Sequence, residues 1–125
     1  MKLKTFLITA AVVSCASGFI SLLIPAQVMS LYGVEPNPAI SLLAQYSGLG
    51  SFALGLVSWF SRNMELSLAQ KTIIPALLIS NILGMIISAM GALSGSIKSG
   101  WETAGLYFIF AAGYSWFLFH RTKTQ

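Results

Sequence analysis

The sequence predicts an all-α integral membrane protein, a four-helix bundle that forms a single transmembrane domain over residues 1–125. Of the 125 residues, 56% are hydrophobic and only 8% are charged, whereas about a quarter of the residues in a soluble domain carry charge. The apolar residues also form four runs, each close to the roughly 20 residues that a helix needs to cross a bilayer. We predict membrane spans at residues 5–24, 39–60, 72–92 and 102–120.

The first span has a second interpretation, because the start of the chain also resembles a lipoprotein signal peptide. Lys2 and Lys4 precede an apolar stretch, and the segment VVSC at residues 12–15 is similar to a lipobox, in which Cys15 would be lipidated. The apolar run nevertheless continues past Cys15 to Pro25, where a lipoprotein would have a polar tether. We therefore predict a continuous membrane helix with an unmodified Cys15.

The links between spans contain helix start and stop signals. Pro25 ends the first span, and the apolar residues at 28, 29, 31 and 32 have the spacing of a short interfacial helix, although a simple loop is the alternative. Asn37 suits a helix N-cap and Pro38 the first helical turn of the second span. The inner link, residues 61–71, is expected to form a similar short turn or a loop. Ser99 and Glu102 are spaced as a capping box for the last span.

The basic residues predict the orientation of the chain. Four spans place six of them on one side of the membrane, so the positive-inside rule puts both termini in the cytoplasm, most simply of a bacterial inner membrane. No basic patch is denser than two residues, so we expect contact with anionic lipid headgroups and not with nucleic acid. The seven basic residues are Lys2, Lys4, Arg62, Lys71, Lys98, Arg121 and Lys123.

Small residues at intervals of four predict close helix packing, because helices in lipid associate through close contact and hydrogen bonds. The third span has the longest such stripe, so we expect it to be the central helix of the bundle. The stripes would pack helices within one chain, or one of them would form a homo-oligomer. The packing residues of the second and third spans are Ser47, Ser51, Gly55, Ala76, Ser80, Gly84, Ser88 and Ala92.

Two strongly polar uncharged side chains, Gln45 and Asn81, lie well inside the predicted spans. Each needs a partner in hydrocarbon, and they are expected at depths that allow a direct or water-bridged hydrogen bond. One interpretation is a link between helices. The other is a small intramembrane polar pocket that also includes Tyr46, Tyr107 and Tyr114.

A second candidate site lies on the outer face, where charged and aromatic residues of two links could meet. It consists of Tyr32, Glu35, Lys98, Trp101 and Glu102. The alternative is that these residues only cap a helix, anchor it at the interface and form an exposed ion pair.

The residue types argue against several function classes. The chain has no Asp, and its three Glu residues lie outside the predicted spans or at a helix end, so a proton-coupled transporter is disfavoured. It has one Cys and one His, too few for disulfide exchange or for a metal or haem site. We therefore predict no catalytic residue, no metal ligand and no cofactor.

The chain resembles the small bacterial membrane proteins of the DoxX-like group and neighbouring families of unknown function. The resemblance rests on IPAQVMSLYGV at residues 24–34, YSGLGSFALGLVSWF at residues 46–60 and SGW at residues 99–101. It implies a four-helix membrane bundle and, in some members, association with redox or quinone-linked partners. It carries no functional residue over to this chain.

The expected function is that of a non-enzymatic membrane module that binds a membrane-protein partner or a lipid-like small molecule. The first alternative is an accessory subunit of a quinone-linked membrane oxidoreductase, with a quinone-like molecule near Gln45 and Asn81. A channel or transporter oligomer is disfavoured, because no charged residue lies inside the predicted spans.

Overall fold

The computed structural model describes residues 2–95 and 100–120, and its regular structure is helical throughout these ranges. Four long helices overlap the four segments predicted to span the membrane, with bounds within two residues of those expected. Two short helices, α2 and α4, occupy the links. The helices are α1 (Leu3–Leu23), α2 (Pro25–Leu31), α3 (Pro38–Phe60), α4 (Leu66–Lys71), α5 (Ile73–Leu93) and α6 (Gly100–Phe119).

The predicted start signals of α2 and α3 are confirmed. Pro25 is the first residue of α2, so it ends α1 and also begins the next helix. The Ile40 amide donates to the Asn37 side-chain oxygen at 3.0 Å, which satisfies one of the free amides at the start of α3. Pro38 occupies the first turn of that helix. The capping box expected at the start of α6 involves Ser99, which lies outside the described residues.

Helices α1 and α3 form a close antiparallel pair. Gly18 of α1 lies against Gly48 and Phe52 of α3, and a Cβ atom at Gly18 would lie 2.5 Å from the Gly48 carbonyl oxygen. Farther along the pair, Gly55 of α3 lies against Cys15 of α1. Glycine at these crossings lets the two backbones approach each other, as small residues do between membrane helices.

Helices α5 and α6 form the second antiparallel pair. Gly84 of α5 lies against the ring of Tyr107, and Ala92 lies against Gly100 at the other end of the pair. Helix α5 packs closely on α6 and on α4 and makes little contact with α1 or α3. The expectation that the third span is central is therefore wrong, because its small residues face one neighbour, α6, and the space between the two pairs.

The buried core of the described residues lies at the end of the molecule where α1 begins and α6 ends. The Phe6 ring contacts the rings of Tyr114 and Phe117, with centroids 4.8 and 5.4 Å apart. Leu7 and Ile74 are completely buried beside them. This core joins the two helix pairs at one end, whereas toward the other end a cavity lies between them.

Within the described ranges, three helices are long and apolar enough to cross a membrane: α1, α3 and α5. Helix α6 has 20 residues but is not among them. Its apolar character is lowered by Glu102 and by two Trp and two Tyr residues, which the other long helices carry in smaller numbers.

Candidate functional site

A cavity of about 280 Å³ lies between the two helix pairs, and it is partly open to the surface. All four long helices and α2 contribute to its wall. The aromatic core around Phe6 closes the end nearest the start of α1. The cavity exists because the pairs α1–α3 and α5–α6 are each packed closely, while the pairs meet each other mainly at that end.

The wall of the cavity is rich in hydroxyl groups. The described residues that line it include seven serines, and no charged residue is among them. Apolar residues such as Leu54, Leu77 and Phe110 fill the remainder. The polar lining residues are Ser14, Ser17, Ser21, Ser47, Ser51, Ser58, Ser80, Asn81, Thr103, Tyr32, Tyr107 and Tyr114.

Several of these polar groups donate a hydrogen bond to their own helix. The hydroxyls of Ser58 and Ser80 donate to the carbonyls of Leu54 and Ala76, one turn earlier, at 3.0 and 2.9 Å. Ser17 does the same with the Val13 carbonyl, at 2.8 Å. Because a hydroxyl that donates in this way keeps its oxygen lone pairs, the more accessible Ser17 and Ser80 can still accept a hydrogen bond from a molecule in the cavity.

Four other serines of the wall have free hydroxyls. Ser14 and Ser21 on α1, and Ser47 and Ser51 on α3, have no hydrogen-bond partner for the side chain among the described residues. Their hydroxyls can therefore both donate and accept. In this orientation the four hydroxyls are available to water or to a bound molecule, since a polar group without a partner in an apolar environment is costly.

The two ends of the cavity are built differently. At the core end, Tyr114 and Ser58 line the cavity, and both residues are only 2% exposed. At the opposite end, the cavity is covered by Val28 and Met29 of α2 and by Tyr32, which follows that helix. There the Thr103 hydroxyl donates to the Tyr32 phenol oxygen at 3.4 Å, which connects the end of α2 to α6.

Three of the five residues proposed for an intramembrane polar pocket line this cavity: Asn81, Tyr107 and Tyr114. Gln45 does not, because its amide donates to the Leu22 carbonyl of α1 at 3.2 Å. Tyr46 is 63% exposed on the outer surface of α3.

The hydrogen bond expected between Gln45 and Asn81 is not formed in the described part of the chain. The Asn81 amide donates to the Leu77 carbonyl of its own helix at 2.7 Å. Gln45 lies in the α1–α3 pair and Asn81 in the α5–α6 pair, so the two amides belong to different packing units. Gln45 therefore connects α3 to α1 and is not a link between the second and third spans.

The residues proposed for the outer-face site are mostly separate from the cavity. Tyr32 lines it, whereas Glu35, Trp101 and Glu102 are exposed. Lys98 lies outside the described residues. The structure thus brings one member of this group, Tyr32, to the cavity.

The predicted packing residues divide between two roles. Gly55, Gly84 and Ala92 lie in helix contacts, and Ser88 is buried. Ser47, Ser51 and Ser80 instead line the cavity. Ala76 is exposed.

Sequence reasoning did not assign Ser17, Ser21, Ser58 or Thr103 to any site. A signal for some of them was present, since Ser14, Ser17 and Ser21 follow a spacing of three and four along α1 and share one helix face. The Ser47, Ser51 and Ser58 series marks a face of α3 in the same way. Treating these serines as polar groups that share a helix face, and not only as small residues, would have indicated a polar wall.

The chemistry available in this cavity is that of neutral hydrogen bonding. Hydroxyl and amide groups can bind an uncharged molecule, but they provide no strong acid, base or metal ligand. No group of three His, Cys, Asp or Glu residues lies together in residues 2–95 and 100–120. No family model, no curated protein and no solved structure significantly matches the chain.

Proposed function

We propose that the chain is a multi-pass membrane protein of the bacterial inner membrane, with four spans and both termini in the cytoplasm. The length and hydropathy of α1, α3 and α5 support three of these spans. Helix α6 packs antiparallel along α5, from the contact of Gly84 with Tyr107 to that of Ala92 with Gly100. A helix packed in this way would cross the bilayer with its partner, which supports the fourth span.

The positions of the basic residues support the orientation. Lys2 and Lys4 lie at the start of α1, Arg62 follows α3 and Lys71 ends α4 immediately before α5. Because the helix pairs are antiparallel, these four residues lie at the same end of the molecule as the aromatic core. The positive-inside rule assigns such an end to the cytoplasm.

In this membrane the chain acts as a non-enzymatic module that binds a lipid-like small molecule. The observation that supports this function is the uncharged, hydroxyl-rich cavity between the helix pairs. Its volume of about 280 Å³ is close to the lower end of small-molecule sites, at about 300 Å³. Its position between membrane helices favours a ligand that partitions into the bilayer.

The test is to purify the protein in mild detergent and identify retained molecules by mass spectrometry. We expect a stoichiometric small molecule with the wild type and its loss in Ser51→Leu, which would fill the cavity from α3. Gly50→Leu is the matched control, because Gly50 is not part of the cavity wall and a Cβ atom there would meet no atom within 4 Å. A wild-type protein without any retained molecule, or equal retention in both variants, would contradict the proposal.

An accessory role beside a quinone-linked oxidoreductase is the second candidate. The observation in its favour is that Asn81, Tyr107 and Tyr114 line one cavity, where amide and phenol groups can donate to a quinone carbonyl. A quinone retained by the wild type and lost in Asn81→Leu would favour this role. A protein partner recovered in stoichiometric amount, with no small molecule, would favour a purely structural module.

The proposal has two further parts. The first is that the chain belongs to the DoxX-like group, and the second is that it binds a membrane-protein partner or forms a homo-oligomer. The quoted segments IPAQVMSLYGV and YSGLGSFALGLVSWF support the first. For the second, Gly50 of α3 and Gly105 of α6 are positions at which an added Cβ atom would meet nothing within 4 Å, so a neighbouring helix has room there. Chemical cross-linking in native membranes would detect either kind of partner.

A further inference from the structure

We infer that the cavity selects an uncharged molecule whose polar end carries hydroxyl groups, such as the glycerol end of a diacylglycerol, over phospholipids and quinones. The inference rests on the proposed function and concerns the chemical class of the ligand. It follows from three properties of the wall: its charge, its hydrogen-bonding capacity and the arrangement of its apolar parts.

The absence of charge in the described wall excludes one class of ligand head. Of the 21 residues in residues 2–95 and 100–120 that line the cavity, none is acidic or basic. A phosphate group inside the bilayer would have to lose its hydration without gaining a cation there, and buried charges are stable only when they are paired. The cavity therefore favours neutral head groups over phosphate-bearing ones.

The hydrogen-bonding capacity of the wall distinguishes hydroxyl from carbonyl ligands. Ser17 and Ser80 donate to helix carbonyls, so toward the cavity they are acceptors only. A ligand hydroxyl can donate to such an oxygen and accept from a free serine hydroxyl at the same time. A quinone carbonyl can only accept, so it would leave the oxygens of these serines without a donor.

The free hydroxyls are concentrated on one side of the cavity. Ser21 of α1 lies against Gly48 of α3, so Ser47 is at the same level, and Ser51 is one turn farther along α3. These serines form the α1–α3 wall, and we place the ligand hydroxyls there. Leu54 and Leu106 also line the cavity and are 41% and 43% exposed, so they offer apolar contact to a chain that extends toward the bilayer.

The test uses photoreactive lipids with identical acyl chains in phosphatidylcholine liposomes that contain the full-length protein. One probe is a diazirine-bearing diacylglycerol, one is the corresponding phosphatidic acid and one is a diazirine-bearing ubiquinone analogue. We expect saturable labelling of α1 and α3 peptides by the diacylglycerol, and labelling at least about tenfold weaker by the phosphatidic acid, given the cost of an unpaired charge in the membrane. The quinone probe should also label less than the diacylglycerol.

Variants connect the labelling to the serines. Ser47→Ala and Ser51→Ala should each reduce the apparent affinity for the diacylglycerol about threefold, the effect of one hydrogen bond in a membrane protein. Ser51→Thr keeps the hydroxyl and should retain most of the binding. Ser41→Ala is the matched control, since Ser41 lies in the first turn of the same helix and is not part of the cavity wall.

The outcomes separate this inference from the proposed function. Equal or stronger labelling by phosphatidic acid or by the quinone analogue would overturn the inference and leave a lipid-binding cavity in place. No saturable labelling by any of the probes would overturn both. Competition by unlabelled diacylglycerol supports the inference with a lipid as the source, and competition by glycerol supports it with a water-soluble polyol as the source.

Discussion

Cys15 lies within the continuous helix α1, on the side that faces α3. Its sulfur is 3.8 Å from the Phe52 carbonyl oxygen, and Gly55 leaves the space that this side chain occupies. Cleavage before Cys15, as in a lipoprotein, would remove Phe6 and Leu7, which belong to the buried core. The packing of the molecule therefore depends on the segment that lipoprotein processing would discard.

We predict that Cys15 is not lipidated and that residues 1–14 stay attached to it. Intact-protein mass spectrometry of the protein from its native membrane should give a mass without a diacylglyceryl addition and with residues 1–14 present. The Cys15→Ala variant should have the same membrane yield as the wild type. A lipidated species that begins at Cys15 would contradict the α1 assignment and the topology that depends on it.

Gly18 lies where the backbone of α1 passes close to the backbone of α3, so that there is no space for a side chain. We expect Gly18→Ala to destabilise the protein by about 1–3 kcal/mol, since its methyl group would overlap backbone atoms of Gly48 and Phe52. The measurement is thermal or denaturant unfolding in detergent. Gly50→Ala and Gly105→Ala are the controls, because both positions have free space, and they should be neutral or slightly stabilising. Equal stability of Gly18→Ala and the controls would refute this packing.

At the scale of elements, the short helix α4 is attached to the end of α6. The Gln70 amide donates to the carbonyls of Phe117 and His120, at 2.7 and 2.5 Å, and so satisfies groups that the end of a helix leaves without partners. Ala69 of the same helix is completely buried in the core. Helix α4 therefore closes the core end of the molecule instead of serving as a flexible link.

We expect Gln70→Ala to lower the free energy of unfolding by about 1 kcal/mol, the usual net value of a hydrogen bond, and more where a buried acceptor is left unsatisfied. Hydrogen exchange of the last turn of α6 should increase in the same variant. Gln27→Ala is the matched control, because Gln27 is exposed on α2 and has no side-chain bond among the described residues. Similar effects of the two substitutions on the free energy of unfolding would show that the contact between Gln70 and α6 does not stabilise the protein.

For the whole molecule, the arrangement of two antiparallel helix pairs has a topological consequence that labelling can test. With Cys15 replaced by Ala, the Glu35→Cys variant should react with a membrane-impermeant maleimide in spheroplasts. The Asn63→Cys variant should react only after the membrane is permeabilised. Both positions are exposed, so reactivity reports the side of the membrane and not burial. Reaction of both variants in intact spheroplasts would contradict the four-span topology.

Local features of the sequence were sufficient to predict the helices. Asn37 and Pro38 begin α3 as expected, since a cap requires only a suitable side chain next to free amides. The apolar residues of the first outer link predicted the short helix α2. The lengths of the apolar runs predicted the long helices. Of these, α1, α3 and α5 are apolar enough to cross a membrane by composition, and α6 is less apolar.

The sequence by itself thus determined the helical elements, the apolar character of three of them and the placement of basic residues at one end. Only the tertiary structure decided which helices pair, where the core lies and which serines face the cavity. The physical reason is that these long helices are apolar over most of their surface, so a serine-bearing face can be recognised in the sequence but the helix that it will meet cannot. Gln45 illustrates this limit, because its partner is a backbone carbonyl of α1 and carbonyls are present in every helix.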